Sequence, residues 1–433
     1  MQLVMEKTRH YRLHCPKCEL SFADDGYILD CPADHSPALL VTEYCHRQFE
    51  PQTSQPGIYR YRQWLPVQGE LFTAGSTVTY QSEKLSRITG LPQLWVAFNG
   101  YWPDKGATLE TATFKQLEAA AVIPRIPLEN RDVLVVASAG NTAAAFAHAC
   151  SQAQIPCLII IPARGLDRMR FIEPLDPCVK IVSLVGFSDY FDAITFAGKV
   201  SGVPGFFSEG GVRNIARRDG LGTTMLNAVE AIGQLPDYYF QAIGSGAGAI
   251  AVHESAKRLI EDGSYGGELP QLMLSQNLPF VPIYQSWKAR SREMIRPSRD
   301  EAKRQIQQVA ASVLSNWQPP YAVMGGVFDV LTESRGDMLA ASNAEVFTAV
   351  ELFQECEGID IDMAAGVALA TLMKAASEGL IKRDAITVLN ITGGGALRRE
   401  LENKLIQAEP IKQFEQDEVL KESSVEEVIG LFY

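Results

Sequence analysis

One stretch of the chain decides its fold class: YYFQAIGSGAGA at residues 238–249. It begins with a continuous apolar run, which is typical of a strand buried on both faces of a parallel sheet. Small residues follow at once and let the backbone approach a ligand closely before a helix begins. This order of strand, glycine turn and helix predicts a phosphate-binding cup. Its members are Gly244, Ser245, Gly246, Ala247 and Gly248.

A dinucleotide site is the alternative interpretation of this cup, since Gly-x-Gly-x-x-Ala is close to a dinucleotide fingerprint. That interpretation expects an acidic residue or an arginine at the end of the next strand. The next strand, LMLSQ at residues 272–276, ends in neither. A single phosphate therefore fits better, and a dehydrogenase becomes a weaker hypothesis.

Short apolar runs alternate with longer helical patterns on both sides of this stretch. The predicted strands span residues 94–98, 133–137, 157–161, 180–184, 238–243 and 386–391. The predicted helices span residues 107–121, 142–152, 190–200, 225–232 and 363–376. Such alternation predicts an α/β fold whose parallel sheets are covered by helices on both faces.

Lys105 is the candidate reactive lysine, because it follows the aromatic turn Tyr101-Trp102 and precedes a predicted helix. A helix N-terminus and enclosure by aromatic rings both disfavour the ammonium form. A lysine held partly as free amine is what Schiff-base chemistry requires. The alternative is a lysine that merely extends along the surface to water.

Two more strand-to-helix junctions carry candidate ligand-binding residues, since ligands of parallel sheets bind beyond the carboxyl ends of strands. The loop at residues 138–142 (SAGNT) offers N–H groups and hydroxyls that can hold a carboxylate at a helix N-terminus. Thr392 precedes three glycines, which permit the close approach of a flat ligand. The alternatives are an ordinary capped turn and a tight glycine turn.

Four of the eight cysteines lie in the first 50 residues. Cys15-x2-Cys18 followed by Cys31-x3-His35 has the spacing of a zinc knuckle. The alternative is a metal-free ribbon, since the second half lacks a clean Cys-x2-Cys and Cys45 is a competing ligand. We therefore assign no metal ligand from the sequence.

Composition and charge exclude several classes of protein. With 46% hydrophobic and 21% charged residues, the 433-residue chain is typical of globular proteins. The formal net charge of −12 disfavours nucleic acid and anionic membranes as partners. No apolar run approaches the roughly 18 residues of a membrane span, and the N-terminus carries no export signal. We expect a cytoplasmic enzyme.

The ordered set of lysine, carboxylate loop, glycine cup and terminal hydroxyl resembles pyridoxal-phosphate enzymes of the tryptophan-synthase-β type (fold-type II), and within them the threonine synthase group. The resemblance runs from the Cys-x2-Cys segment to Gly395. It is carried by WLPV at 64–67, GYWPDKGA at 100–107, ASAGNT at 137–142, EGGVRN at 209–214, DYYFQA at 237–242 and QNLPFVP at 276–282.

The resemblance implies pyridoxal 5′-phosphate as cofactor and assigns roles to individual residues. Lys105 is expected to form the Schiff base, and residues 244–248 to bind the phosphate. Asn141 is expected to bind the ring hydroxyl oxygen, and Thr392 to face the pyridine nitrogen. The substrate-binding residues are expected to be Ser138, Thr142 and Arg213, with Arg217 and Arg218 as further candidates for anions.

The resemblance also implies the domain organisation. Residues 1–50 are expected to form a cysteine-containing ribbon. Residues 58–128 and 214–412 are expected to form a large cofactor-binding domain, with a smaller α/β domain of residues 129–213 inserted in it. Residues 413–433 are expected to be a solvated tail. The cofactor is expected in the cleft between the two α/β domains.

The reaction is implied by the segment around Lys105, which resembles the branch that makes L-cysteate from O-phospho-L-serine and sulfite by β-replacement. General threonine synthases are expected to have Lys-Asp-Arg, and neither Asp nor Arg follows Lys105. The alternative is a threonine synthase acting on O-phosphohomoserine and water. A ribbon-bearing binding protein with a redundant catalytic fold is a further alternative. We expect small-molecule substrates, a homo-oligomer (dimer or trimer) and a role in amino-acid metabolism or coenzyme M biosynthesis.

Overall fold

The computed structural model describes residues 9–71 and 74–433. Its strands are β1 (Tyr11–His14), β2 (Ser21–Phe22), β3 (Val41–Tyr44), β4 (Val78–Gln81), β5 (Leu94–Phe98), β6 (Tyr101–Trp102), β7 (Ala107–Thr108), β8 (Val133–Ala137), β9 (Cys157–Pro162), β10 (Arg170–Phe171), β11 (Val179–Leu184), β12 (Phe206–Ser208), β13 (Tyr238–Ala242), β14 (Gln271–Asn277), β15 (Asp337–Ala341), β16 (Thr387–Ile391), β17 (Ile406–Gln407) and β18 (Lys412–Phe414).

The α-helices alternate with these strands over most of the chain. They are α1 (Glu83–Thr89), α2 (Lys115–Val122), α3 (Asn141–Ala153), α4 (Tyr190–Val200), α5 (Ile215–Ile232), α6 (Ala247–Asp262), α7 (Pro282–Lys288), α8 (Arg299–Ile306), α9 (Val327–Glu333), α10 (Asn343–Glu357), α11 (Met363–Ser377), α12 (Ala396–Glu402) and α13 (Glu422–Ile429). The α/β class and the predicted parallel strands are confirmed.

The larger sheet has six strands in the order β15-β14-β13-β16-β5-β4, parallel except for the antiparallel edge strand β4. Successive residues of its strands point to opposite faces. Val388 packs with Ile250 of α6 on one face, and Leu389 packs with Leu369 of α11 on the other. Burial on both faces explains why these strands are continuous apolar runs.

The smaller sheet has five parallel strands in the order β12-β8-β9-β11-β18. Its two faces again belong to different clusters, since Ile159 packs with the helical residue Phe146 and Ile160 packs with Phe196. The inserted region thus forms a sheet of its own. The edge strand β18, however, comes from far outside residues 129–213.

The C-terminal residues differ from the predicted solvated tail. Phe414 of β18 is buried against Phe196, and Val428 of α13 is buried in the same cluster, where α13 contacts α4. Only a few apolar residues anchor this segment, and they are spread among many charged ones. A sequence pattern that sparse is typical of an exposed helix, which is why the contact with the smaller sheet was missed.

The predicted helix at 107–121 is wrong in its first half. Residues 107–108 form β7, which pairs with β6 in a small hairpin, and the helix begins only at Lys115. The hairpin turn contains Gly106 at φ +90°, a left-handed conformation that glycine adopts readily. Three threonines follow within the next seven residues, and β-branched side chains disfavour helix.

The N-terminal ribbon is a three-stranded antiparallel sheet in the order β2-β1-β3. It is fastened to the body by Arg125, whose guanidinium donates to both carboxylate oxygens of Asp24 at 2.9 and 2.8 Å. Both side chains are buried, so this ion pair lies inside the contact between the ribbon and the rest of the chain. Over the described ranges, no helix is long and apolar enough to span a membrane.

Candidate active site

A cleft lies where the carboxyl ends of β8, β13 and β16 come together, so both sheets contribute to it. The empty space of the cleft, together with its open mouth, is about 780 Å³. The predicted ligand-binding residues that line it are Ser138, Asn141, Thr142, Gly244, Ser245, Gly246, Ala247, Gly248 and Thr392. The three predicted junctions therefore converge on one cleft.

Lys105 does not line this cleft, which corrects the sequence prediction. It lies exposed on the hairpin turn between β6 and β7, with its Nζ 4.8 Å from the Tyr80 ring centroid and 5.4 Å from that of Trp102. The helix begins at Lys115, eight residues later than predicted, so the argument for a lysine at a helix N-terminus applies to Lys115 and not to Lys105.

Lys115 is the lysine that lines the cleft, as the first residue of α2. Its side chain is only 19% exposed, and its Nζ lies 4.9 Å from the Phe114 ring centroid. Burial lowers the pKa of Lys115, although the nearby Glu118 carboxylate opposes that change. Sequence reasoning missed this residue, although a lysine that directly follows an aromatic residue at a helix start was the signal to find.

The start of α2 is fixed by the glycine turn after β16. The backbone N–H of Phe114 donates to the Thr392 carbonyl at 2.9 Å, and Thr113 forms an antiparallel bridge with Gly393. A Cβ on Gly393 would lie 2.6 Å from the Asp362 carboxylate, closer than real Cβ atoms come. The glycine turn therefore helps to position Lys115, while Thr392 lines the cleft.

Glu118 is a fully buried carboxylate that joins the lysine to the rest of the site. It accepts from Lys115 Nζ at 3.1 Å, from the Thr142 hydroxyl at 2.8 Å and from Arg217 Nη1 at 3.2 Å. Arg217 also donates through Nε to Glu209 at 2.7 Å. Two cations and two carboxylates thus balance, and such pairing is what makes buried charge tolerable.

The glycine cup precedes α6, a helix of 16 residues with no acidic residue in its first turn. The first N–H groups of a helix lack helical partners and attract anions. Gly246 has φ +82°, and a Cβ there would lie 2.3 Å from Val327 Cγ2. A Cβ on Gly248 would lie 2.5 Å from Gln241 Nε2. The predicted cup is therefore built so that side chains cannot fill it.

The loop at residues 138–142 connects β8 to α3. The buried Ser138 hydroxyl accepts from the backbone N–H groups of Gly140 at 3.0 Å and Ala143 at 2.9 Å, which holds the loop closed. The Thr142 hydroxyl donates to Glu118, and Asn141 accepts from Arg168 at 3.4 Å. The side chains of the loop therefore hold it in place. Arg168, which contacts the loop, was not predicted from the sequence.

The three arginines considered for anion binding lie in different places. Arg213 is exposed, pairs with Asp30 of the ribbon at 2.7 Å and does not line the cleft. Arg218 is buried and donates to Glu254 at 3.0 Å. Arg217 lines the cleft, but its charge is matched by Glu118 and Glu209.

Two further side chains that can ionise, Asp362 and Tyr190, line the cleft but were not predicted as site residues. Asp362 caps α11 by accepting from the Ala365 N–H at 2.8 Å, and burial raises the pKa of its carboxyl. Tyr190 lines the opposite side, and burial raises the pKa of its hydroxyl. The tyrosine is therefore a neutral hydrogen-bonding group at ordinary pH.

The residues of the cleft fit pyridoxal phosphate. A largely buried lysine with a lowered pKa and a cup of helix N–H groups line one space and suit the aldehyde and the phosphate of the cofactor, and the small-residue loop beside them suits a substrate carboxylate. The family profile described as pyridoxal-phosphate dependent enzyme matches residues 73–393. The chain belongs to the pyridoxal-phosphate dependent enzymes.

Relatives within these pyridoxal-phosphate enzymes are close in sequence. The chain is 44% identical over 404 residues to the cysteate synthase of Methanosarcina barkeri, covering 93% of this chain and 96% of that protein. It is 46% identical over 387 residues to the cysteate synthase of Methanosphaerula palustris, covering 89% and 90%. The resemblance to this branch is confirmed.

Solved structures confirm the fold-type II architecture of the pyridoxal-phosphate enzymes. Maize serine racemase aligns with a TM-score of 0.56 at 16% identity, covering 75% of this chain and 92% of its own. L-serine ammonia-lyase from Rhizomucor miehei aligns with a TM-score of 0.58 at 14% identity, covering 78% and 100%. At such identities the likeness concerns the fold alone.

Proposed function

We propose that this protein is a cysteate synthase, a pyridoxal-phosphate enzyme that replaces the phosphate of O-phospho-L-serine by sulfite. The observation that carries the proposal is the likeness to cysteate synthases, which are 44–46% identical to this chain over 89–93% of its length. In balance, a Cβ–O bond breaks, a Cβ–S bond forms, and phosphate leaves as L-cysteate is made.

We propose Lys115, not Lys105, as the residue that binds the cofactor covalently. When bound, pyridoxal phosphate supplies the electron sink that makes a Cα proton removable. The Lys115 amine is suited to take that proton and return it, because burial lowers its pKa towards the operating range of a general base. Glu118, 3.1 Å away, holds the amine in place and stabilises its protonated form.

The remaining cofactor contacts are proposed from the geometry of the cleft. Residues 244–248 are proposed to bind the phosphate through helix N–H groups. Asn141 and Thr392, which line the same space, are proposed to contact the ring hydroxyl oxygen and the pyridine nitrogen. Ser138 and Thr142 are proposed to shape the loop whose N–H groups hold the substrate carboxylate, since both hydroxyls already have partners within the protein.

Arg168 is proposed as the cation that attracts sulfite and phosphate. It is exposed beside the carboxylate loop, where a Cβ on Gly140 would lie 3.0 Å from its Cγ. It forms no salt bridge with any residue that the structure describes, whereas Arg217 is matched by two carboxylates. A guanidinium beside the carboxylate loop, without a salt-bridge partner among the described residues, can hold anions in a chain of net charge −12.

Threonine synthase remains the second candidate, and the lysine context argues against it. With Lys115 as the reactive lysine, the next residues are Gln116 and Leu117, so the Lys-Asp-Arg context expected of general threonine synthases is again absent.

The test is to give the purified holoenzyme O-phospho-L-serine with sulfite, and O-phosphohomoserine in a separate reaction, and to identify each amino acid formed. The proposal predicts L-cysteate and phosphate in equal amounts from the first reaction. Threonine as the sole product, formed only in the second, contradicts it. Omitting sulfite is the control that separates replacement from simple elimination.

We also propose that the enzyme works in the cytoplasm as a homo-oligomer, either a dimer or a trimer. All eight cysteines are free thiols, which suits a reducing compartment. Sedimentation of the holoenzyme checks the oligomer, and a monomer contradicts it.

A further inference from the structure

We propose that Cys15, Cys18, Cys31 and His35 bind one zinc ion in the N-terminal ribbon. One ligand atom from each of the four residues lies within 4.8 Å of all the others. The spacing of these residues along the chain left a metal undecided, because Cys45 was a competing ligand. In the fold Cys45 lies outside the group, so the set is three thiols and one imidazole. This is a common donor set of structural zinc sites.

Two of the distances between the four ligand atoms are close to those around a tetrahedral ion. Cys15 Sγ lies 3.4 Å from His35 Nε2, and Cys18 Sγ lies 3.6 Å from Cys31 Sγ. Zinc bonds of about 2.3 Å to sulfur and 2.0–2.1 Å to nitrogen place tetrahedral ligands roughly 3.5–3.8 Å apart. A disulfide would need its sulfurs about 2.05 Å apart. The observed separations therefore suit an ion shared between the four atoms.

The orientation of His35 supports the same conclusion independently. Its Nδ1 lies 2.8 Å from the Ser36 carbonyl oxygen. A carbonyl can only accept, so Nδ1 carries the proton and donates. In the neutral ring, Nε2 then keeps its lone pair, and that atom faces the thiols. A zinc-bound histidine typically shows this pairing of its second nitrogen with a carbonyl or carboxylate.

The turn between the first two cysteines is held by the backbone. The Cys15 N–H donates to the Leu20 carbonyl at 2.9 Å, and the Glu19 N–H donates to the Cys15 carbonyl at 2.9 Å. Glu19 has φ +60°, a conformation that is costly for a residue other than glycine. The turn keeps this conformation while presenting both sulfurs to one point, which is the geometry that a metal stabilises.

The ion would act on the active site through helix α5. The ribbon contacts this helix directly: the hydroxyls of Thr42 and Tyr44 each donate to Asp219 at 2.7 Å, and Arg218 donates to the Leu40 carbonyl. Arg217, the residue of α5 directly before Arg218, lines the cleft. A ribbon of about 40 residues has too small a core to fold alone, so a metal is a usual means of fixing it.

The experiment measures zinc per chain in holoenzyme purified under reducing conditions with zinc in the medium. Cys18→Ser and Cys45→Ser are a matched pair, since both cysteines are exposed and lie in the same ribbon. We expect about one zinc per chain in the wild type and in Cys45→Ser, and at least a tenfold loss in Cys18→Ser after dialysis. Because Cys18→Ser can fail to fold, cobalt substituted into the wild type gives a second measurement. Tetrahedral thiolate-bound cobalt has visible absorption bands that octahedral cobalt lacks.

Three results would overturn the proposal: wild-type protein without zinc and without the cobalt bands, equal zinc loss in both variants, or a Cys18–Cys31 disulfide found by mass spectrometry in freshly purified protein. The zinc count does not depend on the proposed reaction. It is made equally on protein stripped of pyridoxal phosphate, so failure of one proposal leaves the other standing.

Discussion

Glu118→Gln is the substitution that separates a charge effect at Lys115, the proposed reactive lysine, from an effect of packing. The side chain keeps its shape and its contact with Thr142, but the negative charge beside Lys115 and Arg217 is lost. Removing one partner of a buried ion pair costs about 3–5 kcal/mol. We expect about 3 kcal/mol, the lower end, because Lys115 is 19% exposed and Arg217 keeps Glu209.

The expected thermal shift follows from the size of the chain. Unfolding of 433 residues changes the entropy by about 0.9 kcal/mol/K if the chain unfolds as one unit. A loss of 3 kcal/mol then lowers the Tm of the apo-protein by about 3 °C. Glu301→Gln is the matched control, because it breaks an i,i+3 ion pair of the same kind on an exposed helix, worth under about 1 kcal/mol.

The pH dependence gives a readout that packing alone would not change. The folded pKa of Lys115 is lowered from that of the unfolded chain, so the unfolded state binds more protons between the two values. Stability should therefore rise with pH through that window and be flat below it. Without the Glu118 carboxylate the pKa falls further, so the window extends to lower pH. Cofactor attachment, which needs the free amine, should then reach its half-maximal rate at lower pH.

The assay follows the absorbance of cofactor attachment to apo-protein between pH 6 and 10, together with the Tm at each pH. An unchanged attachment profile in Glu118→Gln, with a Tm loss no larger than that of Glu301→Gln, would refute the role given to Glu118.

Three other substitutions test separate parts of the structure. Gly248→Ala places a Cβ 2.5 Å from Gln241 Nε2 and should weaken cofactor binding about tenfold, as measured by equilibrium titration. Gly198→Ala, in open space on α4, is the control and should leave the affinity unchanged. Equal affinities in the two variants would contradict the proposal that residues 244–248 bind the cofactor phosphate. Arg168→Ala should raise the KM for sulfite or phosphoserine about tenfold with kcat little changed. Arg213→Ala is the control and should change neither constant. The reverse result would favour Arg213 as the anion-binding residue. Phe414→Ala should lower the Tm by about 3 °C, because about 3 kcal/mol of packing energy is lost. Phe187, whose side chain is 78% exposed, provides the control, and Phe187→Ala should leave the Tm unchanged. An unchanged Tm in Phe414→Ala would mean that the C-terminal tail is solvated.

The fold was largely predictable because its central strands carry a continuous apolar signal. Strands β8, β13 and β16 are buried on both faces, and each passes directly into a loop of small residues. Such signals are local, so the cup, the carboxylate loop and Thr392 were found from sequence. That they face one cleft follows from the parallel order of the strands, which the alternation of strands and helices already predicts.

Lys115, the proposed reactive lysine, was not predicted from the sequence because its identification needs the exact start of a helix. Lys105 and Lys115 both follow aromatic residues, and the predicted helix at 107–121 placed the helix start beside Lys105 and not at Lys115. Only the pairing of β6 with β7 shows that the first lysine lies on a hairpin turn. Glu118 and Arg168 could not be predicted, since a buried charge network and a guanidinium beside the carboxylate loop depend on contacts between distant segments.

The central claim is that Lys115 binds the cofactor, and one measurement tests it directly. Holoenzyme is reduced with borohydride, which makes the link between lysine and cofactor permanent, then digested and mapped by mass spectrometry. The structure predicts the pyridoxyl group on the peptide containing Lys115, with Lys105 unmodified, and loss of the label in Lys115→Ala but not in Lys105→Ala. A label on Lys105, or a label that persists in Lys115→Ala, would contradict the assignment.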